Sequence, residues 1–140
     1  MEATTQPVTI QAIVNAPIEE VWNKFNAPEH ITQWCFASDD WHAPYSENDV
    51  RVGGSIKTTM AAKDGSFSFD FGGTYTEVEE NRYLAYTLGD GRKVTVLFEK
   101  DGDATKVVET FDPENTHPVE FQQAGWQAIL DNFKKYAEGK

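Results

Sequence analysis

The sequence predicts an α+β domain: a strongly curved antiparallel sheet of about seven strands that wraps a long C-terminal helix. Val8 to Val14 partly alternates apolar and polar residues with period two, a strand signal, and after the short helices strand-like runs continue to residue 111. Asp64-Gly65, Asp90-Gly91 and Asp101-Gly102 punctuate those runs, and Asp-Gly pairs supply the positive φ angles of tight hairpins. From about Pro118 the spacing becomes helical. The 140 residues fit one domain, 1–140 with a core over about 8–137, and such a length supports a core without covalent staples.

Taken in order, Val8 to Val14 reads as a strand with Val8, Ile10, Ala12 and Val14 on one face. Pro17 then opens a short helix, and Glu19-Glu20 complement the positive end of its dipole. Ile18, Val21, Trp22 and Phe25 fall at helical spacing, and Pro28 starts a second short helix through Ile31 and Trp34. Six strands follow: Trp41–Ser46, Ser55–Ala62, Phe67–Glu79, Tyr83–Leu88, Lys93–Glu99 and Thr105–Phe111. Gly72-Gly73 lies inside the longest of them and signals a bulge or sharp bend there, or a loop splitting two strands. Trp126, Ile129, Leu130, Phe133 and Ala137 form one stripe on the last helix. Gly125 costs helix stability, so its presence predicts close approach to a strand. A bent sheet of this size must be filled, and the apolar stripe is the natural filler.

Composition narrows the function classes. The net charge is −11, and the Lys and Arg residues form no run or patch. A nucleic-acid backbone or an anionic membrane is therefore an unfavourable partner. No apolar run approaches the roughly 18–20 residues of a membrane span, and the polar N-terminus lacks a signal pattern. The lone Cys35 rules out an internal disulfide, so the chain reads as soluble and cytoplasmic. Between Trp34 and Phe36, with no basic cluster nearby, Cys35 is expected as a small buried apolar group and not as an activated thiol.

Two ordered motif sets carry a family resemblance. Ala16-Pro17-Ile18-Glu19-Glu20-Val21-Trp22 and Pro28-Glu29-His30-Ile31-Thr32-Gln33-Trp34 resemble the opening of the START-like (SRPBCC) superfamily. Asp49-Val50-Arg51-Val52-Gly53-Gly54, Gly73-Thr74-Tyr75-Thr76-Glu77-Val78 and Gly125-Trp126 resemble its branch named for the activator of heat-shock protein 90 ATPase (AHSA-like). The resemblance spans about residues 8 to 137 and implies the helix-grip fold, in which seven strands and three helices agree with the element count above. It implies a choice of roles, since the superfamily includes lipid carriers, hormone receptors, polyketide cyclases and chaperone regulators, the last with a link to stress response. The chaperone activators carry an additional N-terminal domain, for which 140 residues leave no room.

The residues themselves suggest binding ahead of catalysis. His30, His42 and His117 lack metal-site spacing, and no Cys cluster accompanies them, so no metal or other cofactor is expected. No nucleophile elbow or phosphate loop appears, and no catalytic residue is assigned. The aromatic content exceeds what a small core needs, which points to an apolar ligand pocket; a fully packed core is the alternative. Its expected lining is Trp34, Phe36, Trp41, Met60, Phe69, Phe71, Tyr75, Glu77, Tyr86, Phe98, Phe111, Trp126, Ile129 and Leu130. Tyr75, Tyr86 and Trp126 offer polar tips that seek partners when buried. Glu77 continues the parity of Phe67, Phe69, Phe71 and Tyr75, which places it at the pocket unless the strand's parity inverts. There it serves as an ion pair with Arg51, a ligand-orienting group, or a catalytic acid. The leading expectation is a binding protein for a small apolar or amphipathic ligand. A chaperone-regulatory or protein-interaction module, with a chaperone as partner, comes second, and a cyclase- or lyase-type enzyme third.

Overall fold

In the computed structural model, which describes residues 6–139, the alternation of Val8–Val14 becomes strand β1, whose buried side chains alternate with exposed ones. Pro17 does not enter the next helix but stands as its N-cap, in extended conformation. Helix α1 then runs Ile18–Asn26 and α2 Pro28–Ile31, with Pro28 at the start of α2, where the missing N–H costs nothing. The remaining strands are β2 (Trp41–Asn48), β3 (Ser55–Ala62), β4 (Ser68–Glu79), β5 (Tyr83–Leu88), β6 (Lys93–Asp101) and β7 (Ala104–Phe111). Helix α3 spans Val119–Ala137. Gly65, Gly91 and Gly102, the second residues of the three Asp-Gly pairs, have φ of +80°, +94° and +63°, as hairpin turns require.

The strands form one antiparallel sheet of order β1-β7-β6-β5-β4-β3-β2. The meander β2 to β7 follows chain order, and β1 adds beside β7, so α1 and α2 carry the chain from one sheet edge to the other. The inner face meets α3, whose Leu130, Phe133 and Ala137 are fully buried. Phe25 of α1 packs edge-on against both Phe133 and Phe98, locking helix α1 to α3 and to β6. Burying a side chain such as Phe133 stabilises the fold by roughly 1.5–3 kcal/mol.

Three glycines behave differently from one another. Strand β4 runs unbroken through Gly72 and Gly73, without the bulge or loop their pairing suggested. A Cβ on Gly72 would lie 1.9 Å from the Ile56 carbonyl oxygen, and one on Gly73 would lie 2.2 Å from that of Thr87. Here the curved sheet brings neighbouring backbones so close that no side chain fits. The bulge instead falls between Tyr75 and Glu77 in the ladder with β5, where Thr76 is the extra residue. Gly125 approaches no strand, since a Cβ there meets nothing within 4 Å, and the expectation of close packing fails. Glycine in a helix interior then carries only its entropic penalty. Gly125→Ala is expected to stabilise the protein by about 0.5–1 kcal/mol, raising the thermal midpoint by roughly 3 °C. Thermal unfolding followed by circular dichroism checks this, and an unchanged or lowered midpoint contradicts it.

Candidate functional site

Between the inner sheet face and α3 lies a cavity of about 280 Å³. Helix α3 contributes Trp126, Ile129 and Leu130, spaced so that one face reaches the cavity. Opposite stand Ile56, Thr58 and Met60 of β3 with Phe69 and Phe71 of β4. Phe25, Ile31, Trp34 and Cys35, from α1, α2 and the turn after it, close one end. Tyr86 and Glu109 come from β5 and β7, and Arg92, Glu114 and Gln122 add polar groups.

Aromatic contacts hold the wall in shape. Trp126 lies flat on Phe111 with ring centroids 4.1 Å apart and planes 6° apart, while Phe71 meets Trp126 edge-on at 5.7 Å. Trp34 is fixed by its indole N–H, which donates to the Lys24 carbonyl at 2.9 Å. The loop from β7 to α3 is strapped by Gln122, whose amide donates to the Glu114 and His117 carbonyls and accepts from the Glu114 N–H. Glu114 in turn bonds the His117 side chain and backbone, which lowers its carboxyl pKa.

Of the residues expected to line the pocket, Trp34, Met60, Phe69, Phe71, Tyr86, Trp126, Ile129 and Leu130 stand together at the cavity. Six do not. Phe98 packs beneath Trp22 and Phe25 of α1, and Phe111 backs Trp126 from the core side. Tyr75 is buried and donates its hydroxyl proton to Asn48 Oδ1 at 2.6 Å. Trp41 joins Phe67 and Phe69 in a partly exposed cluster, and Phe36 is half-buried away from the cavity. Glu77 is exposed, because the bulge at Thr76 inverts the strand parity and turns Val78 inward in its place. Arg51 pairs with Asp49 at 2.8 Å and not with Glu77.

The acidic group the cavity does contain is Glu109, which the sequence reading passed over. It is 8% exposed, and burial pushes its carboxyl up to about 8. Its signal was present in the strand: Lys106 belongs outside and Phe111 inside, which puts Glu109 inside with Thr105 and Val107. Burial also pushes the Cys35 thiol up to about 12, with the Glu109 charge adding to it. The Tyr86 hydroxyl is raised well above its usual value by burial first and by Glu109 second. At neutral pH these three groups are mainly uncharged, and the charges at the cavity are those of Arg92 and Glu114. Among the described residues no cluster of His, Cys, Asp and Glu is able to hold a metal ion.

Comparison with known proteins places this geometry. The family model for the activator of Hsp90 ATPase homolog 1-like protein matches residues 15–138, nearly the whole described fold. The chain belongs to the activator of Hsp90 ATPase homolog 1-like family. Among solved structures, the AHSA1-like protein from Aeromonas hydrophila is 48% identical, with a TM-score of 0.89 over 95% of this chain and 92% of that one. A protein from Cytophaga hutchinsonii is 56% identical, with a TM-score of 0.81 over 94% and 91%. A Chromobacterium violaceum protein, only 22% identical, shares the fold with a TM-score of 0.85 over 96% and 99%. No curated protein matches the chain. In this family member no helix among the described residues is long and apolar enough to cross a membrane.

Proposed function

We propose that this protein is a non-enzymatic binder of a small apolar or amphipathic molecule, held between the sheet and α3. The observation that carries the reading is the 280 Å³ cavity inside an otherwise well-packed core, walled by aliphatic and aromatic side chains with a few polar groups. That combination is what small-molecule sites have in common. Its volume is that of about nine waters at about 30 Å³ each, enough for a fused-ring or short-chain molecule. Catalysis is less well supported, because the buried Cys35, Tyr86 and Glu109 are protonated at neutral pH and the ionised Glu114 is already engaged by the His117 backbone and side chain. The single cysteine supports a cytoplasmic site of action.

Titration with the neutral fluorophore N-phenyl-1-naphthylamine tests this. Saturable one-to-one binding is expected, with Ile129→Trp and Met60→Phe, which fill the cavity, each weakening it by about tenfold or more while the fold is kept. Binding that both variants leave unchanged would contradict the reading. A second reading, contact with a protein partner such as a chaperone, draws on the exposed Phe67, at 58%, and Phe121, at 67%, and on the family's link to Hsp90 activation. That role would survive both cavity-filling substitutions and fail on Phe67→Ser with Phe121→Ser.

A further inference from the structure

We propose that Tyr86 and Glu109 form a paired hydrogen-bond site that takes the carbonyl oxygen of a neutral, otherwise apolar ligand. The inference rests on the ligand-binding reading above and specifies the chemistry of that ligand. Both groups line the cavity, and both are more than nine-tenths buried. Neither the Tyr86 hydroxyl nor the Glu109 carboxyl forms a hydrogen bond or ion pair with any described residue. Among the described residues no side-chain polar atom sealed from solvent lacks a partner, so the Tyr86 and Glu109 tips open onto the cavity, where a ligand acceptor reaches them.

The register puts them on the same face. Tyr86 pairs with Val94 across the β5–β6 ladder, and Glu109 pairs with Val96 across the β6–β7 ladder. Val94 and Val96 are both fully buried on the inner side of β6, so Tyr86 and Glu109 reach inward from adjacent rows. They are near enough for the Glu109 charge to raise the Tyr86 hydroxyl.

Protonation decides what they recognise. Burial holds Glu109 up at about 8 and Tyr86 above its usual value, so at neutral pH both carry a proton to donate. A tyrosine and a neutral carboxylic acid acting on one oxygen is a combination that works in other apolar sites. Arg92, the one cationic side chain at the cavity, pairs with Asp90 at 2.7 Å instead of with Glu109. The other titratable side chains at the cavity are Cys35 and Glu114, while α1, α3, β3 and β4 contribute none to its lining. The proton on Glu109 is therefore what sets the pH dependence of ligand binding.

Displacement of N-phenyl-1-naphthylamine by 2-acetylnaphthalene, 2-ethylnaphthalene and 1-naphthylmethylamine, at pH 6 and pH 9.5, tests the inference. The ketone is expected to bind about tenfold more tightly than the hydrocarbon at pH 6, with most of that preference lost at pH 9.5. Glu109→Gln, which keeps a neutral donor, should make the preference independent of pH, and Tyr86→Phe should reduce it at pH 6. Equal affinities for ketone and hydrocarbon at both pH values overturn the inference while the binding reading stands. An amine that binds best, and more tightly as Glu109 ionises, overturns it in favour of a cationic ligand. Failure of all three naphthalenes and of the fluorophore to bind overturns the inference and the binding reading together.

Discussion

Gly73→Ala is expected to destabilise the native sheet severely. The added methyl would sit 2.2 Å from the Thr87 carbonyl oxygen and 2.8 Å from its carbon, both backbone atoms of the adjacent strand. Gly73 is paired on both sides, with Ile56 of β3 and Leu88 of β5, so neither neighbour withdraws without breaking a ladder. Ordinary overpacking costs about 1–3 kcal/mol by shifting side chains. Displacing a central strand costs more, on the order of 4 kcal/mol or beyond, against a typical total stability of about 5–15 kcal/mol. Urea unfolding and the dispersion of the amide NMR spectrum measure the outcome. A protein within about 1 kcal/mol of wild type would show that the backbones separate easily, contrary to the geometry.

Replacing Glu109 should remove a pH dependence of stability. Its carboxyl is raised from 4.5 to about 8 by burial, so the native state holds the proton over a range in which the unfolded state releases it. Below pH 4.5 both states are protonated and the group is neutral in its effect. Between pH 4.5 and about 8 stability falls as pH rises, and above that the loss is constant. The full loss is on the order of 5 kcal/mol. Glu109→Gln is therefore expected to match the wild type within about 1 kcal/mol at pH 4 and to exceed it by several kcal/mol at pH 9. Urea unfolding of the two proteins across that range reads the difference directly, with the repulsion among the other charges common to both. Parallel stability curves would mean that Glu109 ionises freely in the native state.

The same strand shows how much of the molecule was legible in its sequence. Strand-like runs between turn residues placed β1, β3 and β5 with their observed bounds, although only β1 alternates cleanly and β5 buries Leu84, Ala85 and Tyr86 in succession. In β7 the adjacent Val107 and Val108 blur the parity, which only Lys106 and Phe111 resolve, and Glu109 was missed. In β4 nothing in Tyr75-Thr76-Glu77 announces a bulge, since bulges accept many residue types. One extra residue there was enough to move Glu77 from cavity to solvent. The fourteen expected lining residues divide among cavity, core and surface for a related reason. An aromatic on an inner face, such as Phe98 or Phe111, packs under a helix or opens onto a cavity according to where α1 and α3 lie across the sheet. That placement depends on contacts between segments far apart in the chain, which periodicity does not encode.

Binding inside the cavity is the central claim, and the contacts of the bound fluorophore test it most directly. Intermolecular nuclear Overhauser effects from N-phenyl-1-naphthylamine should reach the methyl groups of Met60, Ile129 and Leu130, which all line the cavity. Effects confined to the exposed rings of Phe67 and Phe121, with none to Leu130, would place the molecule on the surface and contradict the account.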